Sequence, residues 1–357
     1  MADIPTAESI TASWLTGVLR DAGHRDANVR GFDTAQIGTG QIGKCIRLTL
    51  DLDTNDPTVP RTLVGKFPSD DPVSRATGVM LKNYVKEVSF YRHLQRRVAI
   101  STPRCYYAEI VGEGPQFALL LEDLAPARQG DQLLGCTADV ARAAVLELVG
   151  LHAPSWCDAS LRGIDWLGEP AAAAADSLRE LYRSHLSGFF DRYGGALAAD
   201  ERAIIAAVGD SSGEPFGGLP APFSLIHIDY RLDNLLIDAR ATPPRVSVVD
   251  WQSITLGRPL GDVAYFLGAG LLPDERRRCE RDIVQAYHTA LRARGIDDYP
   301  WRACWDDYRR GAFAGFSVTV IASMLVQRTQ RGDAMFIAMA QRHARHAIDV
   351  GAQEFLA

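Results

Sequence analysis

The spacing of apolar residues divides the chain into a first part rich in predicted strands and a second part rich in predicted helices. Residues 9–22 carry apolar side chains at helical spacing, which predicts an amphipathic helix. Residues 29–37 favour a strand, a glycine cluster follows, and over residues 46–52 apolar and polar side chains alternate. This period of two predicts a second strand, because successive side chains of a strand point to opposite faces of its sheet.

The remaining elements follow from the same patterns. Further strands are predicted at residues 63–67, 105–110 and 117–122. An apolar stripe predicts a helix over residues 81–98, and from Asp139 onward helical patterns dominate. They are interrupted by strand-like runs at residues 223–228, 235–237 and 246–249.

The composition shifts from mostly β to mostly α near residues 123–132, which predicts two lobes. We expect an N-terminal lobe over residues 1–124 and a C-terminal lobe over residues 125–357. The predicted fold class is α+β, with a small strand-rich lobe and a larger helical lobe. A chain of 357 residues, 47% of them hydrophobic, is long enough to bury both cores.

Charge and cysteine content narrow the class of protein. A net charge of −6 supplies no broad positive field, which argues against a nucleic-acid partner. The six cysteines form no C-x-x-C pair, so reduced thiols in a cytoplasmic protein are expected. The N-terminus shows no basic region followed by an apolar run, and residues 311–326, the most apolar stretch, are fewer than the ~20 that a membrane span needs. That stretch predicts a buried helix, and no membrane partner is expected.

Gly38, Gly40 and Gly43 belong to a run, GTGQIGKC, that fits three templates. As G-x-x-x-x-G-K it nearly matches a P-loop, but Cys45 stands where a hydroxyl should meet magnesium. As G-x-G-x-x-G it matches a dinucleotide fingerprint. Both templates must open a helix, whereas the residues that follow have the period of a strand.

The third template is a glycine-rich turn between two antiparallel strands. Such a turn can lie over the phosphates of ATP because no side chains intervene. A plain hairpin that binds no ligand is the alternative, since glycine suits any tight turn.

Lys66 is one of only four lysines among 38 basic residues, and it lies in an apolar strand. A charged group is costly there unless it is paired, and an ammonium aimed at the α- and β-phosphates and held by a carboxylate would account for it. Glu87, on the following helix, is the candidate partner, with an ordinary surface glutamate as the alternative. Backbone groups around Glu122 and Leu124, where a buried strand runs into the connector between lobes, could pair with an adenine edge.

The strongest motif is HIDYRLDN, residues 227–234, which has the form H-x-D-x-x-x-x-N. Asp250 follows Asp229 by 21 residues. Phosphoryl transfer needs a carboxylate to orient the attacking hydroxyl and oxygen ligands for magnesium nearby. Asp229 fits the first role, and Asn234 and Asp250 fit the second. A short hairpin between Asn234 and Asp250 would bring Asp250 back to the loop that carries Asp229 and Asn234.

The runs HIDYRLDN, VVDWQ and GRPLGDVAYFL together resemble the aminoglycoside-phosphotransferase and choline-kinase superfamily, especially its ecdysteroid-kinase-like branch. The resemblance implies a protein-kinase-like fold with ATP in the cleft between the lobes. It implies that Asp229 is the catalytic aspartate and that Asn234 and Asp250 bind the metal. It also implies that Lys66 binds phosphate and that Glu87 is its ion-pair partner.

Two further residues take roles from this resemblance. Arg231 occupies a position where protein kinases commonly carry a lysine and would neutralise charge on the transferred phosphoryl group. Asp262 resembles the residue that braces the catalytic loop. His227 is expected to be a packed, hydrogen-bonded core histidine.

The chain departs from its relatives in two places. Ile228 stands where many relatives have glycine, and we expect the replacement to be tolerated because its side chain need not touch substrate. The protein-kinase D-F-G is Asp250-Trp251-Gln252 here, which predicts that no protein-kinase-style flipping switch operates.

The sequence therefore predicts an ATP- and Mg²⁺-dependent kinase that phosphorylates a hydroxyl of a small molecule. The sequence from Asp306 onward contains five acidic residues and six arginines, so this segment has no excess of negative charge to bind a polycationic acceptor. Aromatic residues between Trp301 and Phe316 favour a lipophilic alcohol if they line a pocket, although core packing is the other interpretation. A nucleotide-binding scaffold without catalysis and a protein kinase remain the alternative functions.

Overall fold

The computed structural model describes residues 4–38, 42–54, 56–168, 172–211 and 221–356, the side chains of 172–175 excepted. Within these residues the chain forms two compact units. The first unit takes Met1–Arg96, Thr102–Ala125 and Asp250–Gln252, and the second takes Arg97–Ser101, Pro126–Val249 and Ser253–Ala357.

The first unit is built on an antiparallel sheet of five strands. They are β1 (Val29–Ile37), β2 (Gly43–Leu52), β3 (Thr62–Pro68), β4 (Cys105–Ile110) and β5 (Phe117–Glu122), in the order β1-β2-β3-β5-β4. The alternation predicted for β2 is confirmed, because Ile46, Leu48, Leu50 and Leu52 are all buried. They share one apolar core with Leu15 and Leu19 of the predicted N-terminal helix, α1 (Ala12–Asp21).

The helix predicted over residues 81–98 was wrong at its start. Lys82 adopts a left-handed backbone with φ +57° and Leu81 is 47% exposed, so the helix α3 begins only at Asn83 (Asn83–Ser89). Helical turns then continue to Arg97. An unpredicted helix, α2 (Pro72–Met80), precedes it. Its sequence signal is the Asp71 side chain, which accepts a hydrogen bond from the Ser74 N–H, followed by a proline in the first turn.

The second unit is mainly helical. Its long helices are α4 (Ala138–His152), α5 (Ala172–Tyr193), α6 (Ala199–Asp210), α7 (Pro259–Gly270), α8 (Pro273–Arg292), α9 (Trp301–Gly311) and, after the short α10 (Ala314–Ser317) and α11 (Ser323–Leu325), α12 (Gln330–Asp349). Its strands are β6 (Arg128–Gln129), β7 (Ser224–Ile226), β8 (Leu235–Asp238), β9 (Arg245–Val248) and β10 (Thr255–Gly257). They pair as β6-β8-β9 and β10-β7, all antiparallel.

Two features of the second unit matter for the site. The predicted hairpin after the H-x-D motif is β8 and β9, in which Leu235 lies opposite Val248. The apolar stretch of residues 311–326 is divided rather than one helix, since α9 ends at Gly311 and helical turns resume at Ala314. Among the described helices, none combines the length and the apolar character that a membrane crossing requires. All six cysteines are free thiols.

Candidate active site

Lys66, Glu87 and Asp250 meet within the first unit. Lys66 extends from β3, and its Nζ lies 2.7 Å from Glu87 Oε2 and 2.9 Å from Asp250 Oδ1. The Lys66 side chain is 12% exposed and the Glu87 side chain 3%. A buried ammonium between two carboxylates is the arrangement in which a lysine can remain charged away from water.

The charges of this cluster depend on one another. Burial alone would lower the pKa of the Lys66 ammonium, but the charges of Asp250 and Glu87 raise it well above its ordinary value. Burial raises the pKa of Glu87, and the neighbouring Lys66 opposes that effect. Lys66 is therefore a fixed positive charge at neutral pH.

The glycine run joins two paired strands of the same sheet along the chain. β1 and β2 are antiparallel, and Ile37 is paired with Cys45, so a strand and not a helix follows the run. Gly38 has φ +73°, a conformation that favours glycine. At Gly43 a Cβ atom would lie 3.1 Å from Lys66 Cε, so the strand passes close to the lysine. Gly40 lies outside the described residues.

The segment of Asp250 is held to the first unit by its neighbours. The ring of Trp251 is fully buried and stacks on Phe90, with centroids 3.8 Å apart. Asn83 Nδ2 donates a hydrogen bond to the Gln252 carbonyl at 3.1 Å. Asp250 itself has φ +68°, which aspartate tolerates better than most residues.

Glu122 ends β5, and Leu124 follows it. The Glu122 N–H donates to the Arg104 carbonyl at 2.8 Å, and the Glu122 side chain accepts from the Arg104 N–H at 3.0 Å. The Glu122 N–H is therefore already used and is not a donor for an adenine edge. Lys44, the lysine of the P-loop template, pairs instead with Glu8 and Asp70.

In the second unit, the Asp229 carboxylate accepts hydrogen bonds from three side chains. Arg231 Nε lies 3.0 and 3.1 Å from its two oxygens. Tyr265 Oη, from α7, donates to Oδ1 at 2.8 Å, and Asn234 Nδ2 donates to Oδ2 at 2.9 Å. The side chains of Asp229 and Arg231 are each 20% exposed.

These donors decide the ionisation of Asp229. Burial alone would raise its pKa, but the positive charge of Arg231 and the hydrogen bond from Tyr265 bring the pKa below its ordinary value. The carboxylate is therefore ionised at neutral pH and can accept a proton.

Asn234 is oriented by the same loop. Its Nδ2 donates to both the backbone carbonyl and the side chain of Asp229, each at 2.9 Å. The amide oxygen is consequently the group of Asn234 that remains to bind a cation, and amide and carboxylate oxygens are ligands that Mg²⁺ accepts. In the part of the chain that the structure describes, no group of three or more His, Cys, Asp and Glu could hold a metal.

Asp262, near the start of α7, holds the backbone that precedes Asp229. Its Oδ2 accepts the His227 N–H at 2.6 Å and its Oδ1 accepts the Ile228 N–H at 2.9 Å. The predicted bracing role of Asp262 is confirmed. His227 is fully buried, and its Nε2 lies 3.1 Å from the Val249 carbonyl, as a packed histidine should.

Ile228 requires a correction. Its backbone has φ +69°, a left-handed conformation that is costly for a β-branched residue. Replacing glycine by isoleucine at this position therefore strains the backbone. The prediction that considered only the distance of the side chain from substrate was incomplete. The two hydrogen bonds to Asp262 are what hold the strained backbone in place.

Three residues next to the loop were not predicted. Tyr265 is three residues after Asp262 on α7, so helical spacing could have placed both beside the loop. Asp233 contacts Arg231 Nη1 at 2.6 Å and Arg331 Nη2 at 3.1 Å. Arg331 belongs to α12, and no local pattern links it to the motif.

Solved structures with the same fold are kinases of small molecules. A choline kinase from Cryptosporidium parvum Iowa II aligns with a TM-score of 0.58 at 11% identity, covering 96% of this chain and 98% of that one. A GDP complex of wild-type aminoglycoside 2'-phosphotransferase-IIIa aligns at 0.53 and 15% identity, covering 94% and 99%. A spectinomycin phosphotransferase with ADP and spectinomycin aligns at 0.50 and 11% identity, covering 96% and 99%. The chain therefore has the predicted α+β, protein-kinase-like fold.

The family follows from the sequence. The profile of the phosphotransferase enzyme family matches residues 58–305, more than two thirds of the chain. The chain belongs to this family, as the motifs around Asp229 and Asp250 predicted. The ecdysteroid-kinase-like branch stays a prediction. No curated protein sequence matches the chain significantly.

Proposed function

We propose that this protein is an ATP-dependent phosphotransferase that moves the γ-phosphoryl group to a hydroxyl of a small molecule. The observation that carries the proposal is the environment of Asp229, a carboxylate kept ionised by Arg231 and Tyr265 in a loop of the form H-x-D-x-x-x-x-N. A residue that accepts the proton of a hydroxyl must be held in a fixed position and must be ionised.

The nucleotide is assigned to the first unit. Lys66 would bind the α- and β-phosphates, since it is a permanent cation whose Nζ is positioned by Glu87. The backbone of the glycine run that begins at Gly38 and ends at Gly43 would cover the phosphates, and the backbone around Glu122 and Leu124 would meet the adenine. Relatives of the same fold were solved as complexes with GDP and ADP, which supports a nucleotide as ligand.

Magnesium fits the residues assigned to it. The free amide oxygen of Asn234 and the carboxylate of Asp250 are hard oxygen donors, and two protein ligands suffice for an ion that keeps water and phosphate oxygens as its other ligands. When bound, Mg²⁺ supplies neutralisation of phosphate charge. Asp250 would also keep its contact with Lys66, which couples the metal ligand to the phosphate-binding lysine.

The chemistry assigned to the chain is mainly placement. Asp229 would accept the hydrogen bond of the acceptor hydroxyl and take its proton as the oxygen attacks the γ-phosphorus in line, while ADP leaves. Arg231, held on Asp229 through Nε, would neutralise charge on the phosphoryl group. Positioning and charge stabilisation supply most of the rate in phosphoryl transfer, with no covalent enzyme intermediate.

The acceptor is proposed to lack multiple amines. Asp233, which contacts Arg231 beside the proposed base, is bound by Arg231 and by Arg331. A polyamine would have to compete with these guanidinium groups for the Asp233 carboxylate. Of the aromatic residues considered for a pocket, Tyr308, Phe313 and Phe316 are buried in the core, so they give no support for a lipophilic acceptor.

A labelling experiment tests the proposal. The protein is incubated with γ-labelled ATP, Mg²⁺ and either a panel of hydroxyl compounds or a protein extract. Label on a small molecule is the expected result. Label on protein would instead identify a protein kinase, and tight ATP binding without any transfer would identify a scaffold.

The variant Asp229→Asn tests the base. We expect kcat to fall by about 100- to 10,000-fold while the affinity for ATP stays unchanged, because a carboxamide cannot accept the proton. Asp238→Asn, at the end of β8, is the control and should behave as the wild type. An Asp229→Asn protein with undiminished kcat would remove Asp229 from its role.

A further inference from the structure

A row of four alternating charges in the second unit ends at Asp229. Arg231 bridges two carboxylates, with Nε on Asp229 and Nη1 on Asp233 Oδ2 at 2.6 Å. Arg331, from the first turns of α12, binds both oxygens of Asp233 at 3.1 and 3.2 Å. Asp229, Arg231, Asp233 and Arg331 thus form a continuous ion-paired chain.

Asp233 is the most constrained member of this chain. Its side chain is only 7% exposed, and its Oδ1 also accepts the backbone N–H of Gln132 at 3.1 Å. Donors from three separate segments therefore fix one orientation of the carboxylate.

The consequence falls on Arg231. A guanidinium has donors along three edges in one rigid plane, so fixing two of its nitrogens fixes the third. Nε is committed to Asp229, and Nη1 to Asp233 and to the sulfur of Met335. Among the residues that the structure describes, Nη2 makes no hydrogen bond and is the donor left for another group.

We propose that Asp233 and Arg331 are positioning residues for phosphoryl transfer. Arg331 holds the Asp233 carboxylate and Asp233 holds Arg231 by Nη1, so that Nε keeps the Asp229 carboxylate in place and Nη2 remains to bind the transferred phosphoryl group. This inference rests on the proposed function. In it, Asp233 and Arg331 act through Arg231 and do not contact the reacting atoms. A buried ion pair with a purely structural role would leave the chemistry of Asp229 unchanged.

The test compares Asp233→Asn, Arg331→Gln and Arg331→Lys with the wild type, using kcat and KM for phosphoryl transfer from ATP. Arg328→Gln is the control, since Arg328 precedes α12 and pairs with Asp333 outside the four-charge chain. Thermal unfolding and ADP affinity of each variant check that it is folded. Arg331 is 43% exposed, so its variants should fold even if Asp233→Asn does not.

We expect Asp233→Asn to lower kcat by about 100-fold, because a guanidinium released on one side no longer holds the base or the phosphoryl group in position. The KM for ATP should change little, so the loss should appear in kcat. Arg331→Gln should act in the same direction by about tenfold, and Arg331→Lys should recover part of the loss. Arg328→Gln should match the wild type.

Two results would overturn the inference and are distinct from each other. If the wild type transfers phosphate and the folded Arg331→Gln protein has the same kcat, Arg331 and Asp233 do not position Arg231. If the wild type itself transfers phosphate to no acceptor, the proposed function fails and the inference falls with it.

Discussion

Tyr265 Oη donates a hydrogen bond of 2.8 Å to Asp229 Oδ1, although 36 residues separate them along the chain. Tyr265 is fully buried on α7, the helix that also carries Asp262. One helix therefore holds both the backbone before the proposed base and the carboxylate of the base itself. α7 therefore holds the loop in place and, next to the charge of Arg231, contributes to the low pKa of Asp229.

Removing that hydrogen bond should change the pH dependence of activity. Asp229 must be ionised to accept a proton, and its pKa lies below the ordinary value partly because of Tyr265. In Tyr265→Phe the pKa rises, so the acidic limb of kcat/KM should move up by about one pH unit, the equivalent of about 1.4 kcal/mol. The pH–rate profile measures this shift.

Tyr308→Phe is the matched control, because Tyr308 is another fully buried tyrosine that donates to a carboxylate, that of Glu280, at 3.0 Å. It should cost stability and leave the pH profile in place. Equal shifts in both variants would mean that the effect is one of general stability and not of Asp229.

Glu87→Gln should weaken the binding of ATP. Lys66 Nζ would lose its contact of 2.7 Å with a carboxylate and depend on Asp250 alone, the group that we assign to magnesium. We expect the Kd for ATP in the presence of Mg²⁺ to rise about tenfold, since a hydrogen bond between charged groups contributes about 1.5 kcal/mol or more.

Isothermal titration of the wild type and the variant with ATP gives this Kd. Glu8→Gln, which removes a partner of the exposed pair with Lys44, is the control and should leave the Kd unchanged. An unaltered Kd in Glu87→Gln would show that Glu87 does not support a nucleotide site.

Ile228→Gly should be almost neutral for stability. Lost apolar contact and the greater backbone freedom of glycine oppose the relief of a left-handed backbone that costs about 1–2 kcal/mol. We expect the free energy of unfolding, from urea denaturation, to change by less than about 1 kcal/mol.

Ile226→Gly provides the comparison two residues earlier, in the extended strand β7. Ile226 lies over Gly257, where a Cβ would come within 2.1 Å of its side chain. Because the backbone of Ile226 is not strained, Ile226→Gly should lower the free energy of unfolding by about 3 kcal/mol. Similar losses in the two variants would contradict the strain at Ile228.

His343 should make the protein sensitive to acid. Burial, together with the charge of Arg342, lowers the pKa of His343 from 6.5 to about 3 in the folded state. The unfolded chain therefore binds more protons than the folded protein between those values, so stability is complete above about pH 6.5 and declines as the pH falls toward about 3. The slope from one histidine is at most about 1.4 kcal/mol per pH unit.

Urea denaturation at several pH values in that window tests this expectation with His343→Leu. Neither ring nitrogen of His343 has a hydrogen-bond partner among the described residues, so an apolar side chain should be accepted. In His343→Leu the free energy of unfolding should depend less steeply on pH. The control His93→Asn, which changes an exposed residue, should leave this dependence unchanged. Parallel slopes for the wild type and His343→Leu would contradict the prediction.

The elements that carry the site could be predicted from local patterns of residues. The alternation in β2, the apolar strand around Lys66 and the spacing from Asp229 to Asn234 are local patterns, and the structure has each where its pattern predicted it. Such patterns can be read from the sequence because the period of a helix or strand dictates which of its own side chains are buried.

The contacts between side chains of different elements could not be predicted in this way. Lys66 reaches Asp250 across 184 residues, and Arg331 reaches Asp233 across 98. The left-handed backbone of Ile228 likewise depends on Asp262, whose carboxylate holds two N–H groups of a distant segment. A period states which face of an element is buried, but the partner of each polar group on that face follows from the packing of all the elements together.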